Sequence, residues 1–244
     1  MRTALITGAG AGIGRATAIA LAADGWRLAL MGRKAAKLEE TASACGGALV
    51  LPGDVGIAED VERVFARLAA EWGRLDLLFN NAGIFLPAAP IDEIDVEAWL
   101  DLSRTNITGM VLCARAAFGL MRRQQPQGGR IINNGSVSAH APRPGSAPYT
   151  ISKHAVTGLT KSLALDGRRF GISCGQIDIG NAVTDMAAGF ADGMEQADGS
   201  FRPEPMMDVG HVARTVAHMA AMPGDVNMPF VSIMARDMPW LGRG

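Results

Sequence analysis

Short apolar runs alternate along the chain with longer stretches in which apolar residues recur at helical spacing. The runs Ala4–Ile6, Leu28–Met31, Ala48–Leu51, Leu75–Phe79, Arg130–Asn133, Ile172–Ile177 and Phe230–Met234 predict strands. Gly14–Ala23 predicts a helix with Ala16, Ile19, Ala20 and Ala23 on one face, and Val61, Val64, Phe65 and Leu68 repeat in the same way. Helices are also expected over Lys34–Ala44, Val96–Arg123 and Tyr149–Leu165, and near His211–Met222. Most of the strands are apolar throughout rather than alternating, as strands are when both sheet faces are covered. This alternation of strand and helix predicts an α/β architecture, a doubly wound parallel sheet with right-handed crossovers.

The predicted strands end on small or polar residues: Gly8, Gly32, Asp54, Asn80, Ser136 and Gly180. In a doubly wound sheet these ends share one edge, and ligands bind there. With 48% apolar and 19% charged residues, the chain can bury a core and is not disordered. No linker or repeat divides it, so one domain over residues 1–244 is expected. A formal net charge of −1 gives no global attraction for nucleic acid or an anionic membrane. Cys45, Cys113 and Cys174 are scattered and form no Cys/His cluster, so no disulfide framework and no metal site is expected. No apolar run reaches membrane-spanning length, and Gly8, Gly10, Gly12 and Gly14 interrupt any signal-peptide pattern. The default expectation is a cytoplasmic protein.

Thr7-Gly8-Ala9-Gly10-Ala11-Gly12-Ile13-Gly14 joins the first strand to the first helix. Glycines let the backbone approach a ligand closely, and a helix N-terminus offers unpaired N–H groups and a positive dipole end. Together they make a pyrophosphate cradle; taken alone, the run also reads as a flexible Gly/Ala loop. Its spacing is G-x-x-x-G-x-G, not the G-x-G-x-x-G fingerprint. The second strand ends in Gly32-Arg33-Lys34, where a carboxylate for a free ribose 2′-hydroxyl is missing. Arg33 suits a 2′-phosphate instead, favouring NADP(H), with NAD(H) as the alternative. The bland alternative is that Arg33 and Lys34 are the solvated start of a helix.

Tyr149 is the only tyrosine in the chain, and Lys153 follows it by four positions. On a helix the two share a face, about 5–6 Å apart at Cβ. A free phenol, with a pKa of about 10, exchanges protons poorly near neutrality, and a neighbouring cation eases formation of the phenolate. Such a pair suits proton exchange with a hydroxyl or a carbonyl. Ser136 lies thirteen positions before Tyr149, at a strand end, where its hydroxyl can hold the substrate oxygen.

Taken together, these residues resemble the short-chain dehydrogenase/reductase family, in its compact single-domain branch with a Rossmann fold. The likeness runs from Thr3 to about Met222. Thr7–Gly14 is similar to the family's glycine turn, and Asn80-Asn81-Ala82-Gly83 to its NNAG motif. Asp54-Val55 is similar to the dipeptide beside the adenine. Asn106, Ser136, Tyr149 and Lys153 match the catalytic positions. The resemblance implies that Tyr149 exchanges the proton and Lys153 assists it while holding the nicotinamide ribose. Ser136 would polarise the carbonyl, and Asn106 would anchor a water. It implies cofactor contacts from Gly8, Gly12, Ile13, Gly14, Arg33, Asp54, Val55, Asn80, Gly83, Tyr149, Lys153, Ile179 and Thr184. A substrate lid near residues 184–207, carrying Met186, Phe190, Met194, Met206 and Met207, is also implied.

Two departures stand out. Ile179-Gly180 occupies the family's Pro-Gly, which leaves that turn without proline's rigidity. The tail Met238–Gly244 replaces a glycine-rich ending, and either packs on a neighbouring subunit or frays. His140 and Ser138 lie near Ser136; the first reads as incidental, and the second fits the spacing less well. The expected function is hydride transfer between NADP(H) and a small-molecule carbonyl or secondary alcohol, in a homodimer or homotetramer built through the helices at 96–123 and 149–165. The alternatives are NAD-dependent alcohol oxidation and a non-catalytic dinucleotide sensor.

Overall fold

The computed structural model describes residues 1–184, 193–196 and 198–240. Six strands are β1 (Thr3–Thr7), β2 (Arg27–Gly32), β3 (Leu49–Pro52), β4 (Leu77–Asn80), β5 (Gly129–Asn134) and β6 (Ile172–Ile179). A small antiparallel hairpin, β7 (Met194–Glu195) with β8 (Phe201–Arg202), precedes the last strand, β9 (Phe230–Ile233). The main sheet has the order β3-β2-β1-β4-β5-β6-β9 and every pairing in it is parallel. This is the doubly wound α/β fold expected from the pattern. Its order reverses between β1 and β4, so a crevice opens there at the C-terminal strand ends.

The helices are α1 (Gly12–Ala23), α2 (Ala35–Ala44), α3 (Ala58–Trp72), α4 (Val96–Ser103), α5 (Met110–Arg123), α6 (Ala147–Gly167) and α7 (Val209–Ala221). Successive strand residues point to opposite faces, and each face has its own core. On one side Ile6, Leu30, Phe79, Ile132 and Ile177 meet Leu21 of α1, Leu38 of α2 and Val216 of α7. On the other, Leu5, Leu78 and Ile131 meet Phe65 of α3 and Cys113 and Met121 of α5. Cys113 and Cys174 are buried in this second core, and burial pushes both thiols up to about 12.

Three differences from the sequence pattern bear on the site. The run predicted as one helix over 96–123 is helical throughout, but a π turn, Arg104–Gly109, separates α4 from α5. Two side-chain events accompany it. Asn106 turns away to the backbone of Ile84, and Asn80 donates to the carbonyl of Met110 just beyond the turn, at 2.9 Å. Secondly, β6 runs two residues past the predicted Ile177, to Ile179, which pairs with Ile233. The Gly180 N–H donates to the Ile233 carbonyl at 2.8 Å. The β9 ladder therefore fixes the turn, and isoleucine keeps the N–H that a proline lacks. Thirdly, the tail folds back on its own chain as far as Trp240. Met238 is buried and its sulfur accepts the Asn181 N–H at 3.4 Å. Residues 241–244, with Met186 and Phe190, lie outside the described residues.

Asn80 is 1% exposed, and its amide also donates to Asn133 at 3.2 Å. Asn80→Leu removes both donations and leaves buried acceptors unpaired. It is expected to lower the urea unfolding free energy by about 1–3 kcal/mol while keeping the helical circular dichroism.

Candidate active site

The β1–α1 turn brings backbone unusually close to backbone. A Cβ at Gly14 would lie 2.3 Å from the Gly8 carbonyl oxygen, so only glycine lets α1 start this near the strand end. Ala11 precedes α1 in an extended conformation and gives no side-chain cap. Among the described residues the first N–H groups of the helix have no side-chain cap, and Gly12, Ile13 and Gly14 line a cavity of about 310 Å³. Thr184 stands across from Gly12, where a Cβ would meet its Cγ2 at 3.3 Å. Beside the turn, the Thr7 hydroxyl accepts the N–H groups of Asn81 and Ala82, at 2.8 and 3.0 Å. Asn81 donates back to the Thr7 carbonyl, and its own oxygen accepts from Asn134 at 2.8 Å. These bonds tie together the ends of β1, β4 and β5.

The same cavity is lined by Ser136, Tyr149 and Lys153. Tyr149 sits in the first turn of α6, in a T-shaped contact with Phe85 at 5.0 Å between ring centres. The Lys153 ammonium lies 5.3 Å from the tyrosine ring centre. Lys153 is buried, and its Nζ donates to the Asn134 carbonyl at 2.8 Å. Ser136 has extended backbone and caps a short 3₁₀ turn, Val137–Ala139. Its oxygen accepts the Ser138 N–H at 3.1 Å, which leaves the hydroxyl proton to point elsewhere. Ser138 also lines the cavity, but serves Ser136 through its backbone.

Gly8, Gly83, Ile179 and Thr184 line this cavity as well. Asn106 and Asn80 lie behind its wall rather than on it. Asn106 is 2% exposed and both accepts the Ile84 N–H and donates to the Ile84 carbonyl, each at 2.8 Å. It reaches Ser152 at 3.4 Å. Its amide acts as a strand partner for Ile84, which lines the cavity with Phe85. Arg33 is exposed at the end of β2. Asp54 follows β3, and its carboxylate accepts the Gly56 N–H at 2.8 Å, while Val55 is buried against Gly109. By strand order these three flank β1 on the side away from β5 and Ser136.

Several residues at the site carried no sequence signal. Arg143 lines the cavity and donates to Asn181 at 2.8 Å and to Glu204. Glu204 is buried and also accepts from Asn181 and Gln196, at 2.7 and 3.1 Å. Burial pushes the Glu204 carboxyl up, but bonds from Asn181 and Gln196 and the Arg143 charge outweigh it and hold it below the ordinary value. This cluster anchors the segment after the β7–β8 hairpin to the cavity rim. Of the methionines expected in a lid, Met207 belongs to the core and Met194 to the hairpin. His140, which reads as incidental in the sequence, is paired with Asp178. Among the described residues no metal-binding cluster occurs, and no helix is long and apolar enough to cross a membrane.

Comparison with known proteins agrees with this geometry. The family description of short chain dehydrogenases matches residues 2–195. A 3beta-hydroxysteroid dehydrogenase of Mediterraneibacter gnavus is 37% identical over 177 residues, covering 71% of this chain and 63% of that protein. Sulfoacetaldehyde reductase 2 of Chromohalobacter salexigens is 31% identical, over 97% of this chain and 95% of its own. Among solved structures, an actinorhodin polyketide ketoreductase variant with NADPH superposes with a TM-score of 0.85 at 28% identity, over 96% and 95% of the two chains. The protein belongs to the short-chain dehydrogenase/reductase family and is an NAD(P)-dependent enzyme of that family.

The glycine contact gives a direct test of the cradle. Gly14→Ala forces a Cβ onto the Gly8 carbonyl. Overpacking of this kind is expected to lower the calorimetric melting midpoint by about 2–10 °C. Titration calorimetry with NADP⁺ should show weakened binding in the same variant.

Proposed function

We propose that the protein is an NADP(H)-dependent oxidoreductase that interconverts a carbonyl compound and a secondary alcohol. The observation that carries the reading is the meeting of Ser136, Tyr149 and Lys153 in one cavity beside the uncapped start of α1. The residues fit a dinucleotide. Gly12, Ile13 and Gly14 would hold its pyrophosphate on open N–H groups. Arg33, Asp54 and Val55 lie on the adenosine side by strand order, with Arg33 suited to a 2′-phosphate. Gly83, Ile179 and Thr184 would face the nicotinamide half, and Asn80 would contribute from behind the wall, through the position of Asn81. When bound, the dinucleotide supplies or accepts the hydride.

The chain's own groups do the rest. Ser136, whose oxygen already accepts the Ser138 N–H, donates a hydrogen bond from its hydroxyl to the substrate carbonyl oxygen and stabilises charge growing there, without giving up its proton. Tyr149 gives its proton to that oxygen in reduction and takes it back in oxidation. The Lys153 ammonium, fixed on the Asn134 carbonyl, opposes the negative charge left on the phenol oxygen. Asn106 keeps Ile84 and Phe85 in place, and Phe85 orients the tyrosine ring. Ile84, Phe85 and Val137 make the wall apolar, which favours carbonyls with an apolar flank. Exposed Val96 and Leu100 on α4 and Ile151 on α6 support a homodimer or homotetramer built through these helices.

A panel of ketones and alcohols, followed by NADPH and NADP⁺ absorbance, is expected to yield turnover. Tight NADPH binding with no turnover across the panel would favour a dinucleotide sensor. Tyr149→Phe is expected to keep NADPH affinity and lower kcat by about 10²–10⁴-fold, the usual contribution of a general acid or base. Arg33→Asp is expected to raise the KM for NADPH by about 10–100-fold, the worth of a charge-assisted bond, and to improve the use of NADH. Unaltered cofactor preference in that variant would sink the assignment of Arg33 to a 2′-phosphate.

A further inference from the structure

Asp178 is a carboxylate near the C-terminal end of β6, between β5 and β9 in a parallel sheet. It is 0% exposed, and such a group is tolerated only when its oxygens are fully bonded. One oxygen, Oδ1, accepts the Ser136 backbone N–H at 3.0 Å and the Gln176 side chain at 2.7 Å. The other, Oδ2, lies 2.8 Å from His140 Nε2. Room for this exists only because residue 135 is glycine. A Cβ there would sit 2.1 Å from Asp178 Oδ1 and 2.7 Å from Gln176 Cγ. Three consecutive residues thus have three fixed tasks. The Asn134 carbonyl holds Lys153, Gly135 makes space, and the Ser136 N–H is held by Asp178.

The network continues from Gln176 to α6. Gln176 donates to Thr157 and accepts from Thr160, each at 3.0 Å, on the same helix as Tyr149 and Lys153. Asp178 therefore connects the serine backbone to the helix that carries the phenol and the ammonium. His140 closes the outer side. Its side chain is 42% exposed, and its ring stands edge-on to Trp240 at 5.8 Å. Neither Asp178 nor His140 lines the cavity, so neither touches a substrate there.

We propose that Asp178, held from outside by His140, is a positioning residue that fixes the Ser136 hydroxyl relative to Tyr149 and Lys153. Asp178 bonds only to the backbone of Ser136, so it moves no proton to substrate. Its effect is geometric and is felt in the transition state more than in binding. The proposal rests on Ser136 acting as the hydroxyl donor, as read above.

The test is a double-mutant cycle of Asp178→Leu and Ser136→Ala, assayed with the panel carbonyl that the wild-type enzyme reduces fastest. Asp178→Leu is expected to lower kcat by about 10–100-fold, the scale of a small misplacement, with KM and NADPH affinity changed by less than about threefold. Asp178→Asn keeps an acceptor for the Ser136 N–H and should restore kcat to within about fivefold of wild type. In the Ser136→Ala background, Asp178→Leu should cost almost nothing further. Additive losses would overturn the positioning role and leave Ser136 standing. Full activity of Ser136→Ala alone would instead sink the serine reading. His140→Ala changes an exposed residue and is expected to fold, with a kcat loss of about 3–10-fold and an unchanged KM. Hydrogen exchange of a peptide over residues 131–139 gives a readout without substrate. Faster exchange in His140→Ala than in wild type supports the proposal, and identical exchange with identical kcat overturns it.

Discussion

Polar side chains buried on one face of the sheet must all find partners, and the rest of the site is arranged by how they do so. Asn80, Asn133, Gln176 and Asp178 share the face that looks toward α5 and α6, and each is at most 1% exposed. Leaving one such group unpaired costs about 1–3 kcal/mol, a sizeable part of a protein's net stability. Asn80 is satisfied by the Met110 carbonyl beyond the π turn, Asn133 by Thr160, and Gln176 by Thr157 and Thr160. An apolar sheet would let these helices slide. The polar seam gives α6 one register against the strands, and Tyr149 and Lys153 ride on that register.

The strands were legible because parallel strands covered on both faces are apolar throughout, and their ends because glycine, asparagine and serine mark them. The relation of Tyr149 to Lys153 was legible because both lie on one helix at a fixed spacing. Ser136 followed from its distance in sequence to Tyr149, which the family resemblance supplied. What escaped depends on contacts between distant parts of the chain. His140 and Asp178 are thirty-eight positions apart, and only the folded sheet brings them together. The π turn escaped because its residues keep a helical apolar pattern, and the features that attend it, Asn80 and the Ile84 backbone, come from elsewhere. Likewise, the tail could be placed only once Met238 was seen under the Asn181 N–H.

The described walls of the cavity differ in what holds them. The wall made by Gly12–Gly14, Asn134, Ser136, Tyr149 and Lys153 rests on strand ends cross-tied through Thr7, Asn81 and Asn134. Among the described residues the opposite rim carries a charged cluster, Arg143 with Asn181, Glu204 and Gln196. The Ala182–Met207 bridge ties together the chain on either side of this cluster, and β7 and β8 pair with each other beside it. A division of this sort suits a family that keeps one reaction while varying its substrates. The side chains of the first wall are set by the core, and those of the second can change in sequence without disturbing the sheet.

The single tyrosine sharpens the same point. A phenol in a solvent-filled cleft would be free to rotate and would exchange its proton with water as readily as with substrate. Here Phe85 packs on the ring in a T-shaped contact and Lys153 stands over it, while Asn134 keeps the ammonium from swinging out. Phe85 is itself held in line because Asn106 bonds both sides of the neighbouring Ile84 peptide. The orientation of one side chain therefore depends on a π turn some forty residues away in sequence. The placement of Tyr149 is a property of that packing as much as of the lysine beside it, and a Tyr-x-x-x-Lys pair on an arbitrary helix surface has no such setting.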